Sequence, residues 1–198
     1  MSKRLYVAYG SNLNIRQMKH RCPTAKLYGT GEIKDYELQF KGHPDSAFAT
    51  IAPKEGASVP VAVWEIQPRD EMSLDHYEGY PSHYFKQNIP VQLGGEEVNA
   101  MVYIMNLKMG FALPSPYYYQ TVFEGYNDCG LNTDVLDTAV KESSARFYAA
   151  YRQQTYFDSE NENDSLSESA DDDEYEPDED DQDMDEDDPF YFSGGMQL

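Results

Sequence analysis

Between Leu27 and Ile66 the sequence holds four strand patterns in a row, with only turn residues between them. The segments are Leu27 to Gly31, Tyr36 to Phe40, Ala47 to Ile51 and Val59 to Ile66. Tyr36, Leu38 and Phe40 fall on one face at period two, as a half-buried strand requires. The unbroken apolar run around Val63 predicts a strand covered on both faces. Pro60 is expected near the start of that strand, where a missing N–H is tolerated. Gly42 to Asp45 reads as a turn, and Pro53 to Ser58 as a loop. Consecutive strands without intervening helices exclude an alternating α/β chain and predict α+β.

Helices flank this block. Asn14 to His20 is predicted helical, with Asn14 as N-cap and Gln17 three residues on to close a variant capping box. Pro68 to Tyr77 has Pro in its first turn and acids after it, both favourable there, and Gly79 is placed to end it. Tyr84 to Leu93 and Glu96 to Met105 read as a hairpin turning near Gly94-Gly95. A helix follows Pro116 to about Glu124. A last one runs from Asn132 to about Gln154, with Leu136, Ala139, Val140, Phe147 and Tyr151 on its apolar face.

Charge sets where the folded part ends. The chain has 15 basic and 36 acidic residues, a net charge of −21, and its last basic residue is Arg152. From Asp158 to Asp188 the sequence holds 19 acids and no base, so the body is nearly neutral and the tail carries the charge. Such a segment buries too little apolar area to offset its ordering entropy. The expected organisation is a domain over 1–154 and an acidic, disordered tail over 155–198, whose aromatic end Phe190-Tyr191-Phe192 could dock. No basic stripe suits nucleic acid, so direct binding of nucleic acid by the body is not expected. No apolar run reaches the ~20 residues that span a membrane. Cys22 and Cys129 form no metal or redox pattern and are read as small buried side chains. The four histidines, His20, His43, His76 and His83, are scattered, and no metal site is expected. These features predict a soluble, cytoplasmic protein.

Two stretches carry chemistry. Leu5 to Tyr9 is a strand pattern that stops at Gly10-Ser11-Asn12 before the first helix. A strand, a Gly-Ser turn and a helix start gather unpaired N–H groups in one loop, suited to a carboxylate or to a carbonyl gaining negative charge. Leu74-Asp75-His76-Tyr77-Glu78-Gly79-Tyr80 places Glu78 at a helix C-terminus. The helix dipole, the like charge of Asp75 and the screening rings of Tyr77, Tyr80 and Tyr84 would all raise its carboxyl pKa.

These two stretches, with Pro114-Ser115-Pro116-Tyr117 later, stand in the order and at about the spacing of the γ-glutamylcyclotransferase family, which the chain resembles from about Lys3 to Arg152. The resemblance implies a closed mixed β-barrel with helices packed outside. It implies an intramolecular aminolysis in which the α-amine of a γ-glutamyl group attacks its own γ-carbonyl, releasing 5-oxoproline and an amino acid, with no cofactor. By the same resemblance Glu78 matches the catalytic glutamate. Tyr9, Gly10, Ser11, Asn12 and Leu13 match the loop that cradles the glutamyl moiety. Tyr84 lines the site, and Ser115 and Tyr117 close over the substrate, the tyrosine run leaving the register open at Tyr118 and Tyr119. Asn12 stands where the glutathione-specific branch has Leu, and Pro-Ser-Pro-Tyr is missing from the γ-glutamylamine branch. Both differences favour γ-glutamyl amino acids. Candidate partners are that small molecule, a basic protein for the tail and a second copy of the chain. Two alternatives stay open: a cyclotransferase for γ-glutamyl amines, and an interaction protein whose acidic tail binds a basic partner or mimics nucleic acid.

Overall fold

In the computed structural model, residues 4–167 are described, apart from Asp45 and Leu107. The tail beyond, including Phe190 to Phe192, lies outside the described residues. The chain divides at Tyr156 into two units, and the first carries the barrel. Five strands close on themselves in the order β1-β3-β2-β4-β5, with β5 returning to β1. They are β1 (Arg4–Ala8), β2 (Lys26–His43), β3 (Ser46–Ile66), β4 (Tyr84–Leu93) and β5 (Glu96–Met105). Neighbours pair antiparallel except β1 with β5, which run parallel through Tyr6↔Met101 and Val7↔Val102. Four helices accompany them: α1 (Ile15–Arg21), α2 (Pro68–Glu78), α3 (Pro116–Asp128) and α4 (Asp134–Ser167). This is the α+β closed mixed barrel that the resemblance implies.

The four short strands expected between Leu27 and Ile66 are two long ones. The segment expected as a loop belongs to β3, where Pro53 pairs with Tyr36 and Ser58 with Lys34. The ladder slips between Lys34 and Tyr36, where Asp35 adopts φ 60° and its carboxylate accepts from the Gly56 N–H at 2.9 Å. A bulge thus absorbs residues that would otherwise break the strand. Pro60 sits mid-strand, paired with Glu32, rather than near the start. It lies beyond Ala62, the last residue of β3 that β1 pairs, so there β1 no longer flanks β3. Val61, Ala62, Val63 and Trp64 are buried on both faces, as their apolar run predicts.

Closure depends on a missing side chain. β2 and β4 pair only at Glu32↔Gln92, and a Cβ on Gly31 would stand 2.0 Å from the Gln92 carbonyl oxygen. The β4–β5 turn is at Gly94-Gly95, with φ 55° and 99°, the left-handed pair that a two-residue hairpin turn demands.

Two helix starts fix the elements around the loop after β1. Asn14 caps α1 by accepting from the Gln17 N–H, but the Gln17 side chain turns to Arg21 instead of closing a capping box. The closed box is on α2, between Gln67 and Asp70. Asp70 is 1% exposed and also accepts from the Thr24 hydroxyl at 2.5 Å, which ties the start of α2 to the turn after α1. At its other end Gly79 adopts φ 61° and the Tyr80 N–H returns to the Asp75 carbonyl, stopping the helix directly after Glu78.

α4 runs past its expected end near Gln154 to Ser167. Once nucleated by the packed turns around Leu136 and Ala139, a helix extends on local bonds alone. The Thr155 hydroxyl adds side-chain bonds to the Tyr151 and Arg152 carbonyls of the preceding turn. Its first half is fixed to β2, where the Phe40 N–H donates to Ser143 Oγ at 2.9 Å.

Candidate active site

A cavity of about 720 Å³ opens between the loop after β1 and the C-terminus of α2. β1 delivers the loop; Ser11 to Leu13 form one short 3-10 turn, and α1 follows. Gly10, Ser11 and Asn12 face the cavity, as do Glu78 from α2, Tyr84 from β4 and Tyr118 from α3.

Glu78 is the centre of the polar wall. Its Oε1 accepts from Asn12 Nδ2 at 3.0 Å, and the same amide donates to the Tyr6 hydroxyl at 2.8 Å. Burial pushes the Glu78 carboxyl up to about 7, against the opposing pull of the Arg21 charge and of the Asn12 hydrogen bond. The expected direction holds, and of the expected causes it is the exclusion of water that acts, not the like charge of Asp75. Asp75 turns away to the Tyr103 hydroxyl and the Lys86 ammonium, at 2.6 Å from each, so its charge is already compensated.

The surrounding phenols are locked by the backbone. Tyr9 donates to the Tyr103 carbonyl at 2.6 Å, and Tyr84 to the Ala49 carbonyl at 3.1 Å. The Tyr118 oxygen accepts from the Ala49 N–H at 3.2 Å. Burial holds Tyr6, Tyr9, Tyr84 and Tyr118 above the ordinary phenol range, so all four are neutral donors. Gly10 is needed here for space rather than for backbone angle. Its φ is −116°, while a Cβ would lie 3.2 Å from both Ala49 Cβ and the Tyr118 hydroxyl.

Not every expected residue reaches the cavity. Tyr9, Gly10, Ser11, Asn12, Glu78 and Tyr84 come together there. Leu13 does not: it is fully buried and packs in the core beneath the loop. Ser115 acts as N-cap of α3, accepting from the Tyr118 N–H at 3.2 Å. Tyr117 is 78% exposed and lines a separate surface cleft between α1 and α3. One residue further round the helix, Tyr118 takes the place in the cavity that the resemblance gave to Tyr117.

Sequence reasoning missed Arg21. Its guanidinium donates to Asn12 Oδ1 at 2.5 Å, to Ser11 Oγ at 3.2 Å and to the Tyr77 hydroxyl at 2.6 Å, and lies 3.6 Å over the Tyr77 ring. The i, i+4 spacing of Gln17 and Arg21 was the one local signal, and it points only along the helix. Burial raises the Cys22 and Cys129 thiols to about 12 and about 11, which makes both poor nucleophiles. Among the described residues no three His, Cys, Asp or Glu side chains converge on a metal-sized site. The arrangement can take and return one proton at a carboxylate while N–H and phenol donors hold oxygen atoms nearby.

Residues 6–120 match the model of the family described as Gamma-glutamyl cyclotransferase, AIG2-like. A gamma-glutamylcyclotransferase of Homo sapiens is 31% identical over 137 residues, which is 64% of this chain and 72% of that protein. The Bos taurus protein of the same name is 30% identical over 140 residues, with the same shares covered. A solved structure named Gamma-glutamyl cyclotransferase superposes with a TM-score of 0.64 at 28% identity, covering 70% of this chain and 86% of that one.

Proposed function

Because the chain belongs to the Gamma-glutamyl cyclotransferase, AIG2-like family, we propose that it is a γ-glutamylcyclotransferase in which Glu78 is the general acid and base. The substrate class is a γ-glutamyl amino acid, and the products are 5-oxoproline and the free amino acid. The observation that carries this reading is the Glu78 carboxylate, held by Asn12 at 3.0 Å in the cavity and pushed up to about 7.

The reacting amine and carbonyl belong to one molecule, so the substrate itself supplies much of the proximity. The protein must fold the glutamyl chain, remove a proton from the amine and stabilise the oxyanion. Glu78 accepts that proton and returns it to the leaving amine. A carboxyl with a pKa near the working pH is suited to both steps. The glutamyl end lies along Gly10, Ser11 and Asn12, where backbone N–H groups and the Tyr118 hydroxyl supply donors.

The test is 5-oxoproline release from a panel of γ-glutamyl dipeptides and γ-glutamyl amines, with purified protein and no added metal. Turnover of the dipeptides supports the reading, turnover of the amines alone reassigns the substrate, and no turnover of either sinks it. The cradle has its own test. Gly10→Val crowds Ala49 and the Tyr118 hydroxyl, and it is expected to raise KM for γ-glutamyl ligands well before it unfolds the protein. Normal ligand binding by that variant would remove the loop from the site.

No helix among the described residues is long and apolar enough to cross a membrane. We assign the acidic segment from about residue 155 onward to contact with a basic protein rather than to the reaction, and the protein to the cytoplasm.

A further inference from the structure

We propose that Arg21 is a positioning residue: by holding Asn12 Oδ1 it fixes which way the Asn12 amide faces, and so keeps an N–H donor on Glu78 throughout the proton cycle. The inference rests on the reading of Glu78 as the base.

A carboxamide is nearly symmetric in shape, so its partners decide its direction. The Asn12 Oδ1 receives Arg21 at 2.5 Å; the Nδ2 faces Glu78 at 3.0 Å and the Tyr6 hydroxyl at 2.8 Å. Of these partners, Tyr6 does not choose, because a hydroxyl donates or accepts. Glu78 chooses only while ionised. Once it has taken the proton it becomes a donor too, and it could then bond a reversed amide through Oδ1. The guanidinium has no acceptor and does not lose its charge. Reversal would set the Asn12 NH2 group against it, so Arg21 forbids the flip in both protonation states. The donor that Glu78 sees is therefore constant, and it favours return of the proton to the leaving amine.

Arg21 is itself braced for this task. Its fork reaches Ser11 Oγ, the Gln17 side chain and the Tyr77 hydroxyl, and its plane stacks on the Tyr77 ring. One side chain at the end of α1 thereby joins the loop that carries Asn12 to the helix turn that carries Glu78.

The titratable groups around Glu78 are Arg21 from α1, Tyr6 from β1, Tyr9 from the loop after it, and Tyr77, His76 and Asp75 on its own helix. Tyr84, Tyr103 and Tyr118 face it from β4, β5 and α3, and His43 and His83 line the same cavity. Carbon-13 NMR of the Glu78 carboxyl follows that one group among them.

The experiment compares wild type, Arg21→Met, Arg21→Lys, Asn12→Ala and the Arg21→Met/Asn12→Ala double variant, by kcat and by the Glu78 titration midpoint. Arg21→Met is expected to lower kcat by about tenfold to a hundredfold, the scale of one charge-assisted hydrogen bond, and to raise the Glu78 midpoint. Added to Asn12→Ala, the same change should cost kcat less than about twofold, because the amide it orients is already gone. Arg21→Lys keeps the charge without the fork, so it should bring the midpoint back toward wild type while kcat stays low. Equal losses from Arg21→Met in both backgrounds, or full recovery of kcat in Arg21→Lys, would overturn the proposal. If wild type releases no 5-oxoproline, the reaction assigned above fails. The NMR arm still decides on Arg21: a midpoint shift larger with Asn12 present than without it supports the positioning role, and equal shifts exclude it.

Discussion

Glu78→Gln is expected to lower kcat for 5-oxoproline release by roughly 10²–10⁴-fold, the usual contribution of a positioned general base, or about 3–5 kcal/mol of barrier. Gln keeps the shape of the side chain and its contact with Asn12, but cannot take a proton from the amine. KM should change less, because Gly10, Ser11 and Asn12 still hold the glutamyl end. Stability should move the other way. The Glu78 carboxyl rises from an ordinary 4.5 to about 7 in the folded protein. The folded state thus binds the proton more tightly than the unfolded chain, and wild-type stability falls as pH rises from about 4.5 to about 7. The loss is on the order of 3 kcal/mol and is complete above pH 7. Gln at this position carries no such cost. The variant should therefore match wild type in urea at pH 4 and exceed it at pH 8. Glu71→Gln, earlier in the same helix, is the control and should turn over near the wild-type rate. Undiminished 5-oxoproline production by Glu78→Gln would falsify the assignment of the base.

The second large effect is structural and sits behind the loop. α3 crosses the 3-10 turn so closely at Gly125 that a Cβ there would lie 2.6 Å from the Asn14 nitrogen and from Leu13 Cβ, and 2.8 Å from the Leu13 carbonyl carbon. Two of these atoms are backbone and cannot rotate away. Gly125→Ala gains about 1 kcal/mol of helix propensity and loses about 3 kcal/mol or more to overpacking. A net loss of about 2 kcal/mol corresponds to a Tm lower by roughly 4–8 °C for a chain of this size. The damage should also reach the reaction. To relieve the clash, either α3 backs away with Tyr118 or the turn carrying Ser11 and Asn12 shifts. Both separate groups that meet in the cavity, so kcat should fall even below the transition temperature. Unchanged Tm and turnover in Gly125→Ala would show that the loop does not depend on this contact.

The local elements of the site were legible because their rules are short in range. The strand ending at Gly10, the Asn14 cap, the end of α2 at Gly79 and the turn at Gly94-Gly95 each follow from residues within a few positions of one another. Glu78 and the loop could therefore be named as candidates from the chain alone. The long strands β2 and β3 were not legible. Pro53 and Gly56 read as loop residues, and only the partner strand, with the bulge at Asp35, keeps them in the ladder.

The sequence by itself determined the α+β class, the strand-turn-helix that presents Asn12 and the placement of Glu78 at a helix terminus. Tertiary structure alone decided which side chains meet them. Tyr117 and Tyr118 are adjacent and alike, and only the docking of α3 sends one to solvent and the other to the cavity. Arg21 reads as a basic residue just past a short helix until the chain folds and brings Asn12, Ser11 and Tyr77 to its guanidinium. Asp75 reads as a like charge beside Glu78 until Lys86 and Tyr103 take it up. Backbone geometry and capping are set by interactions a few residues apart, which a sequence displays. The electrostatic setting of a carboxylate is set by burial and by charges brought from distant strands and helices, and that arrangement exists only once the barrel has closed.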